Sequence, residues 1–451
     1  MTDSSPSTTS RRILILGAAG RDFHNFNVVY RDDPAATVVA FTATQIPGIA
    51  GRRYPPSLAG LRYPDGIPIE DEAHLELICR RERVNEVVFA YSDVSHAALM
   101  RVGSRALAAG ADFVLLGPDR TMLPARVPVI AISAVRTGCG KSQIARWLGR
   151  RLRARGYRVA VLRHPMPYGD LERQRAQRFA SRADLDAARC TAEEREEYEP
   201  HLAAGNAVFA GVDYGMVLAL AEREADLVVW DGGNNDFPFV RPSLHVVVVD
   251  ALRPHQATGY HPGEAVLRMA DVVVVNKIDA VAPATVDIAI EEVRRVNARA
   301  PIVRAASPVT LADPAAVRGR RAIVVEDGPT ITHGGMPYGA GYVAAVAAHA
   351  VIVDPRSSAP PPLLDAFGRY PHIGAVLPAI GYDAAQLEAL RQTINRSDAE
   401  VVVAATPLDL ASLVALDKPV VRARYEFADA GPPTLGALVD RFLEERMGAG
   451  A

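Results

Sequence analysis

Residues 134–143 read AVRTGCGKSQ, and Gly140, Lys141 and Ser142 form the end of a phosphate loop of the type G-x-x-x-x-G-K-[ST], with Val135 where the first glycine would stand. Such a loop offers backbone N–H groups to phosphate oxygens at a helix N-terminus. Thr137, Gly138, Cys139, Gly140, Lys141 and Ser142 are therefore the expected nucleotide-binding residues. Lys141 would meet the β/γ oxygens, and the Ser142 hydroxyl would hold Mg²⁺. Downstream, LVVWDGGNND puts Asp231 directly after an apolar run, the position of a carboxylate that holds Mg²⁺ through water. VVVVNKID presents Asn276, Lys277 and Asp279 in an arrangement that reads a purine base. An aspartate there accepts from guanine N–H groups, which adenine lacks, so this motif taken alone favours GTP over ATP. Lysine usage supports the assignment. Lys141, Lys277 and Lys418 are the only lysines among 50 basic residues, and two of them stand in these motifs. A compact ammonium fits a tight phosphate loop where a planar guanidinium does not.

Further cationic and polar residues follow apolar runs. Arg136 stands where one branch of phosphate-loop proteins, including dethiobiotin synthetase and the deviant Walker ATPases, carries an extra basic residue, and it is a candidate clamp on transferring phosphate. Arg163 and His164 in RHPMPYGD, and Asn234 and Asn235 in NNDFPFVRP, are expected to face a polyanionic second substrate. His333 in EDGPTITHGGMPYGAG is a candidate catalytic group. Near the start, ILILGAAGRDFHNFN has a strand, a G-x-x-G turn and a polar cluster. Arg21 and His24 there are expected to meet a small anion, the alternative being a scaffold that only packs on its neighbour. The glutamate-rich AEEREEYEP (192–200) reads as a solvated helix face.

These residues need rigid supports, and the sequence supplies them. Thirteen short β-branched or aliphatic runs, from RILILG (12–17) through VIAISA (129–134) and HVVVVDA (245–251) to VVVAATP (401–407), alternate with helical periodicity such as QIARWLGRRLRARG. Continuous apolar strands between helices predict an α/β protein with parallel sheets covered on both faces and ligands at the carboxyl ends of strands. The expected organisation is a disordered tail (1–10), a Rossmann-like unit (11–125), a central parallel-sheet P-loop NTPase domain (126–355) and a small C-terminal α/β unit (356–451). GAGYVAAVAAHAVIV (339–353) reads as a packed helix leading into a strand. An apolar content of 49%, a charged content of 23% and a formal charge of −2 fit this class and give no general attraction for nucleic acid or membrane. Three widely spaced cysteines form neither a disulfide framework nor a metal pattern. No apolar run reaches the roughly 18 residues that span a bilayer, so no membrane segment is expected. The cysteine usage fits a reducing cytoplasm, and because phosphate-loop proteins of this branch are often dimers, a homodimer is expected.

GAAGRDFHNFN, FTATQIPGIAGRRYPP, FAYSDVSH, AVRTGCGKSQ, RHPMPYGDLERQ, WDGGNNDFPF, NKID and EDGPTITHGGMPYGAGYVAA, in this order, resemble the cyclic 2,3-diphosphoglycerate synthetase family from about residue 11 to about residue 426. The resemblance implies an ATP- and Mg²⁺-dependent enzyme that closes 2,3-diphosphoglycerate through an intramolecular phosphoanhydride, or a close relative acting on another polyanionic metabolite. It implies that the loop from Arg136 to Ser142 binds ATP, with Arg136, Arg163, His164 and His333 supplying charge. Two other readings remain: a GTPase that couples hydrolysis to a protein partner, and a nucleotide-regulated binding protein.

Overall fold

The computed structural model describes residues 10–43, 51–164, 169–233, 235–332, 334–379, 384–407 and 410–447. The expected tail lies outside them up to residue 9. The chain is α/β throughout, and the described residues build three large sheets and a two-stranded one, Val94–Ser95 antiparallel to Tyr260–His261, between the first and central units. In the first, the strand order is Arg53–Tyr54, Ile67–Asp71, Ala36–Ala43, Arg11–Leu16, Glu86–Phe89 and Asp112–Leu115, parallel except at the first pair. The central sheet runs Gln177–Phe179, Ala207–Ala210, Val159–Arg163, Leu227–Asp231, Val129–Ala134, Leu244–Asp250, Val272–Asn276, Ile302–Ala306 and Ala428–Asp429, with only its two outermost pairs antiparallel. Its middle strands are buried end to end, which is why Leu244–Asp250 and Val272–Asn276 carry unbroken valine runs: both faces are covered by helices.

The third sheet runs Val309–Leu311, Val420–Tyr425, Val401–Ala404, Arg321–Asp327 and Val351–Ile352, and Leu377–Ala379 also pairs with the far end of Arg321–Asp327. This corrects the expected boundary at 355/356. The strand Arg321–Asp327 is an inner strand of the third sheet, its register matched to Val401–Ala404, so that unit begins near residue 309. The chain end then returns to the central unit. Ala428–Asp429 pairs with Ala305–Ala306, and the helix Leu435–Met447 buries Leu435, Val439 and Leu443 in the central core. The segment 339–353 forms the helix Ala340–Ala347 followed by Val351–Ile352, as its pattern predicts. No helix among the described residues is long and apolar enough to cross a membrane.

First and central units meet through buried polar contacts. Arg21 Nε donates to both Asp236 oxygens at 3.0 and 3.1 Å, and its guanidinium lies 4.4 Å from the Phe239 ring centroid. His24 stacks on Phe239 at 4.1 Å, and its Nε2 donates to the Thr121 carbonyl at 2.6 Å. Burial, with help from Arg21, pushes His24 down to about 3, so it is a neutral interface residue. The turn before that helix is filled by the chain itself, because Asp22 Oδ1 accepts from the Ala19 N–H at 2.8 Å. Arg21 and His24 are thus an inter-unit joint, and the expected anion site at this turn is occupied by Asp22.

Buried neutral histidines make one stability term testable. Burial drives His245, behind the phosphate-loop strand, down to about 4 from an ordinary 6.5. A depressed histidine contributes stability above its unfolded pKa and loses it as pH falls towards the folded value. Between pH 7.5 and 5.0 this loss is about 2 kcal/mol. The stability gap between wild type and His245→Gln, read from denaturant midpoints, is expected to shrink by that amount over this interval. A gap independent of pH would refute neutral burial.

Candidate nucleotide and substrate site

The phosphate loop leaves the central strand Val129–Ala134 and enters the helix Lys141–Ala154. Gly138 and Gly140 take φ of +81° and +106°, a region that side chains rarely adopt, and a Cβ on Gly140 would lie 2.4 Å from Asn276 Nδ2. Three donors grip the loop from behind. Arg253 donates to the Thr137 carbonyl at 2.8 Å, Lys277 Nζ to the Gly138 carbonyl at 2.6 Å, and Asn276 Nδ2 to the Cys139 carbonyl at 2.9 Å. In a trans peptide the following N–H points away from the carbonyl, so the amides of Gly138, Cys139 and Gly140 are turned to the opposite side. Gly140 gives the helix no side-chain cap, which leaves its first amides for a ligand.

Asn276 and Lys277 therefore act first as supports of the loop, and Lys277 also pairs with the buried Asp250 at 2.9 Å. Asp279 is exposed and accepts from the Ser307 N–H at 2.9 Å. If it reads the base, Asp279→Ala should raise the Kd of the preferred nucleotide about 10- to 100-fold, the worth of a hydrogen bond to a charged group. Calorimetric titration with ADP and GDP checks this, and identical affinities in wild type and variant would remove the role.

Asp231 closes the other side. It is wholly buried at the end of the strand next to the phosphate-loop strand. Its Oδ1 accepts from Ser142 Oγ at 3.4 Å, while Oδ2 lies 2.6 Å from Arg163 and 2.9 Å from His201 Nε2. Burial alone would raise this carboxyl, but Arg163, His201 and Lys141 outweigh it and hold Asp231 well below the usual carboxylate range. Two adjacent hard oxygens, one ionised and one hydroxyl, suit Mg²⁺, and Ser142 and Asp231 are the residues that would hold it. Lys141 stands at the helix start. Burial lowers its pKa, partly countered by Asp231.

Several expected roles change. Arg136 is not aimed at the phosphate side: Nε donates to Asp93 Oδ1 at 2.6 Å and the guanidinium lies 3.5 Å from the Tyr260 ring centroid. Asp93 also accepts from the Thr137 N–H at 3.2 Å, so this pair ties the loop to the first unit. Asn235 is buried in the same joint, its Oδ1 accepting from the Asp93 N–H and its Nδ2 donating to the Val135 carbonyl. Arg163 turns inward to Asp231 and Glu197. His164 is wedged between glycines, where a Cβ on Gly20 would meet its ring at 2.1 Å and one on Gly233 at 2.9 Å. Asn234 and His333 lie outside the described residues.

The glutamate-rich segment is the clearest correction. The helix Ala192–Ala203 turns Glu194, Glu196, Tyr198 and His201 inward, putting His201 on Asp231, Glu197 on Arg163 and Glu196 on Thr406 Oγ1 at 3.0 Å. Sequence reasoning passed over His201, Glu197 and Asp93. The signal for Asp93 was an acid just after the strand Glu86–Phe89. For the helix it was the apolar Tyr198 among charges. Opposite the loop stand the carboxyl ends of the third sheet. Thr330 Cγ2 would lie 3.1 Å from a Cβ on Gly138, and Gly334 accepts from Arg253 at 2.6 Å. Buried Glu326 accepts from the amides of Gly339, Gly341 and Tyr342, and burial still pushes it up to about 7.

A glycine-tight loop at a central strand end, a lysine and a serine at the helix start, and a buried carboxylate on the adjacent strand define a P-loop nucleotide-binding α/β protein. Residues 226–304 match the CobW/HypB/UreG nucleotide-binding domain. The chain belongs to the family of the arginine synthetase ArcE of Thermococcus kodakarensis, to which it is 53% identical over 435 residues, covering 96% of this chain and 97% of that one. Among solved structures, it is similar to the ATP complex of LpxK from Aquifex aeolicus (15% identity, 71% of this chain, 90% of that chain, TM-score 0.41) and to the hydrogenase maturation factor HypB from Archaeoglobus fulgidus (16%, 40% and 81%, TM-score 0.26).

Proposed function

We propose that this protein is an ATP-dependent synthetase whose product is arginine. The reading rests on the near-full-length relationship to an arginine synthetase; the phosphate loop opposite the carboxyl ends of the third sheet is consistent with it. Forming arginine with a phosphoryl donor needs an oxygen to activate. The ureido amino acid citrulline differs from arginine only by carrying such an oxygen in place of one terminal nitrogen. Transfer of the γ-phosphoryl group to that oxygen breaks the terminal phosphoanhydride and releases ADP. Ammonia then attacks the activated carbon, inorganic phosphate leaves with the C–O electron pair, and a proton is lost from nitrogen. Lys141 and the loop amides would hold the charge of the transferring group, and Thr330 and Asp327 stand on the opposite wall. Mg²⁺, held by Ser142 and Asp231, would neutralise phosphate charge.

The second reading, cyclisation of 2,3-diphosphoglycerate, uses the same activation with a phosphate oxygen as nucleophile, and the cation Lys141 favours it. Against it stand Glu196 and Asp327 beside Tyr425, which would repel a polyanion. The test incubates protein and Mg²⁺ with ATP or GTP and either citrulline plus ammonium or 2,3-diphosphoglycerate, following nucleoside diphosphate, arginine and the phosphorus NMR spectrum. Arginine formed with stoichiometric ADP supports the proposal. A new phosphoanhydride resonance would establish cyclisation instead. Substrate-independent GTP hydrolysis would point to a switch that acts through a protein partner, as NKID suggests.

A further inference from the structure

The helix Lys141–Ala154 carries four arginines. Three have visible partners: Arg150 with Glu426, Arg151 with Asp440, and Arg153 with the Ala204 carbonyl. Arg146, the most deeply placed along the site-facing side, has neither a hydrogen bond nor an ion pair among the described residues. It follows Ser142 by four residues and so lies on the same helix face, about 6 Å further along the axis. Burial lowers its affinity for its proton, and its surroundings include Tyr425, Asp231 and Arg163.

The wall in front of it is well defined. Trp147 packs on Phe427 at 4.8 Å, Arg150 reaches Glu426, and Gln143 bonds the Ser307 hydroxyl at 3.2 Å. Residues 425–427 thus run along this helix face, with Tyr425 opposite Arg146. Tyr425 is in turn flanked by Asp327, Glu196 and Glu326 from the third sheet and the helix Ala192–Ala203. A half-buried guanidinium without a partner is disfavoured unless a ligand supplies one. That ligand must bring an anion to Arg146 and tolerate, or use, the carboxylates that flank Tyr425. A phosphate group meets the first condition and fails the second; an amino acid's carboxylate and ammonium meet both.

We propose that Arg146 anchors the α-carboxylate of a zwitterionic amino-acid substrate, whose α-ammonium faces Glu196 and Asp327 beside Tyr425. This rests on the arginine synthetase reading and adds to it the residue that would recognise the amino-acid end. The side-chain end of the substrate would then extend along the helix towards Lys141 and the phosphate loop.

The test is calorimetric titration of wild type, Arg146→Gln and Arg146→Lys, each with Mg²⁺ and ADP present, using arginine and agmatine, its counterpart without the carboxylate. Wild type is expected to bind arginine at least about 30-fold more tightly than agmatine, the worth of a charge-assisted bidentate contact. Arg146→Gln should lose that preference while changing affinity for agmatine and ADP by less than about threefold, and Arg146→Lys should fall between. Thermal melts with ADP establish that each variant is folded. Arginine binding equally well to folded Arg146→Gln would overturn the role of Arg146 and leave the synthetase reading standing. An equal loss of ADP affinity would overturn it too, by placing Arg146 on the nucleotide. Wild type that binds neither amine but binds 2,3-diphosphoglycerate would overturn both.

Discussion

Replacing Lys141 by alanine is expected to lower turnover by about 10³-fold or more while leaving the melting temperature unchanged or slightly raised. The loss follows from removing the single positive charge that starts the helix beneath the loop, where a preorganised cation in a dry site is worth several kcal/mol of barrier. The unchanged fold follows from what Lys141 lacks. Its ammonium makes no ion pair or hydrogen bond among the described residues, and burial disfavours its charge. Its removal therefore relieves a desolvation cost instead of breaking a contact. Nucleoside diphosphate release and a thermal melt on the same preparation separate the two statements. Unchanged turnover would refute the site, and a collapsed melt would show that Lys141 is structural.

Asp231→Asn is expected to be costly in both respects. The carboxylate is wholly buried and joins Arg163, His201 and Ser142 in one cluster. An amide of the same shape leaves the Arg163 guanidinium with Glu197 as its remaining acidic partner. Removing one member of a buried charge pair costs about 3 kcal/mol or more. The same change takes away the ionised oxygen beside Ser142, so turnover should fall at least about 10²-fold and the Mg²⁺ concentration for half-maximal activity should rise at least about tenfold. Ser142→Ala is the control: it should shift the Mg²⁺ requirement with little loss of stability. If Asp231→Asn melts like wild type with an unaltered Mg²⁺ dependence, the carboxylate has neither role.

Much of the scaffold is legible without coordinates because its causes are local. Runs such as VIAISA and HVVVVDA must be buried on both faces, which makes them inner parallel strands, and a glycine-rich turn at the end of one such strand places the phosphate loop. Short strands that alternate with arginine or proline, such as Val420–Tyr425 and Leu377–Ala379, lack that signal, so the third sheet was cut in the wrong place.

The sequence by itself determined the α/β class, the parallel strands, the loop from Thr137 to Ser142 and the strand-end carboxylate Asp231. Only the tertiary structure decided which charges are free. Arg21, Arg136 and Arg163 stand after strands like anion binders, yet each is spent on an aspartate 215, 43 or 68 residues away in the chain. Arg146 reads as one more helical arginine, yet it has no hydrogen-bond or ion-pair partner among the described residues. Backbone patterning follows from neighbours three or four residues apart, whereas the pairing of a charge depends on which distant elements the fold brings within about 4 Å of it, and composition and spacing do not encode that.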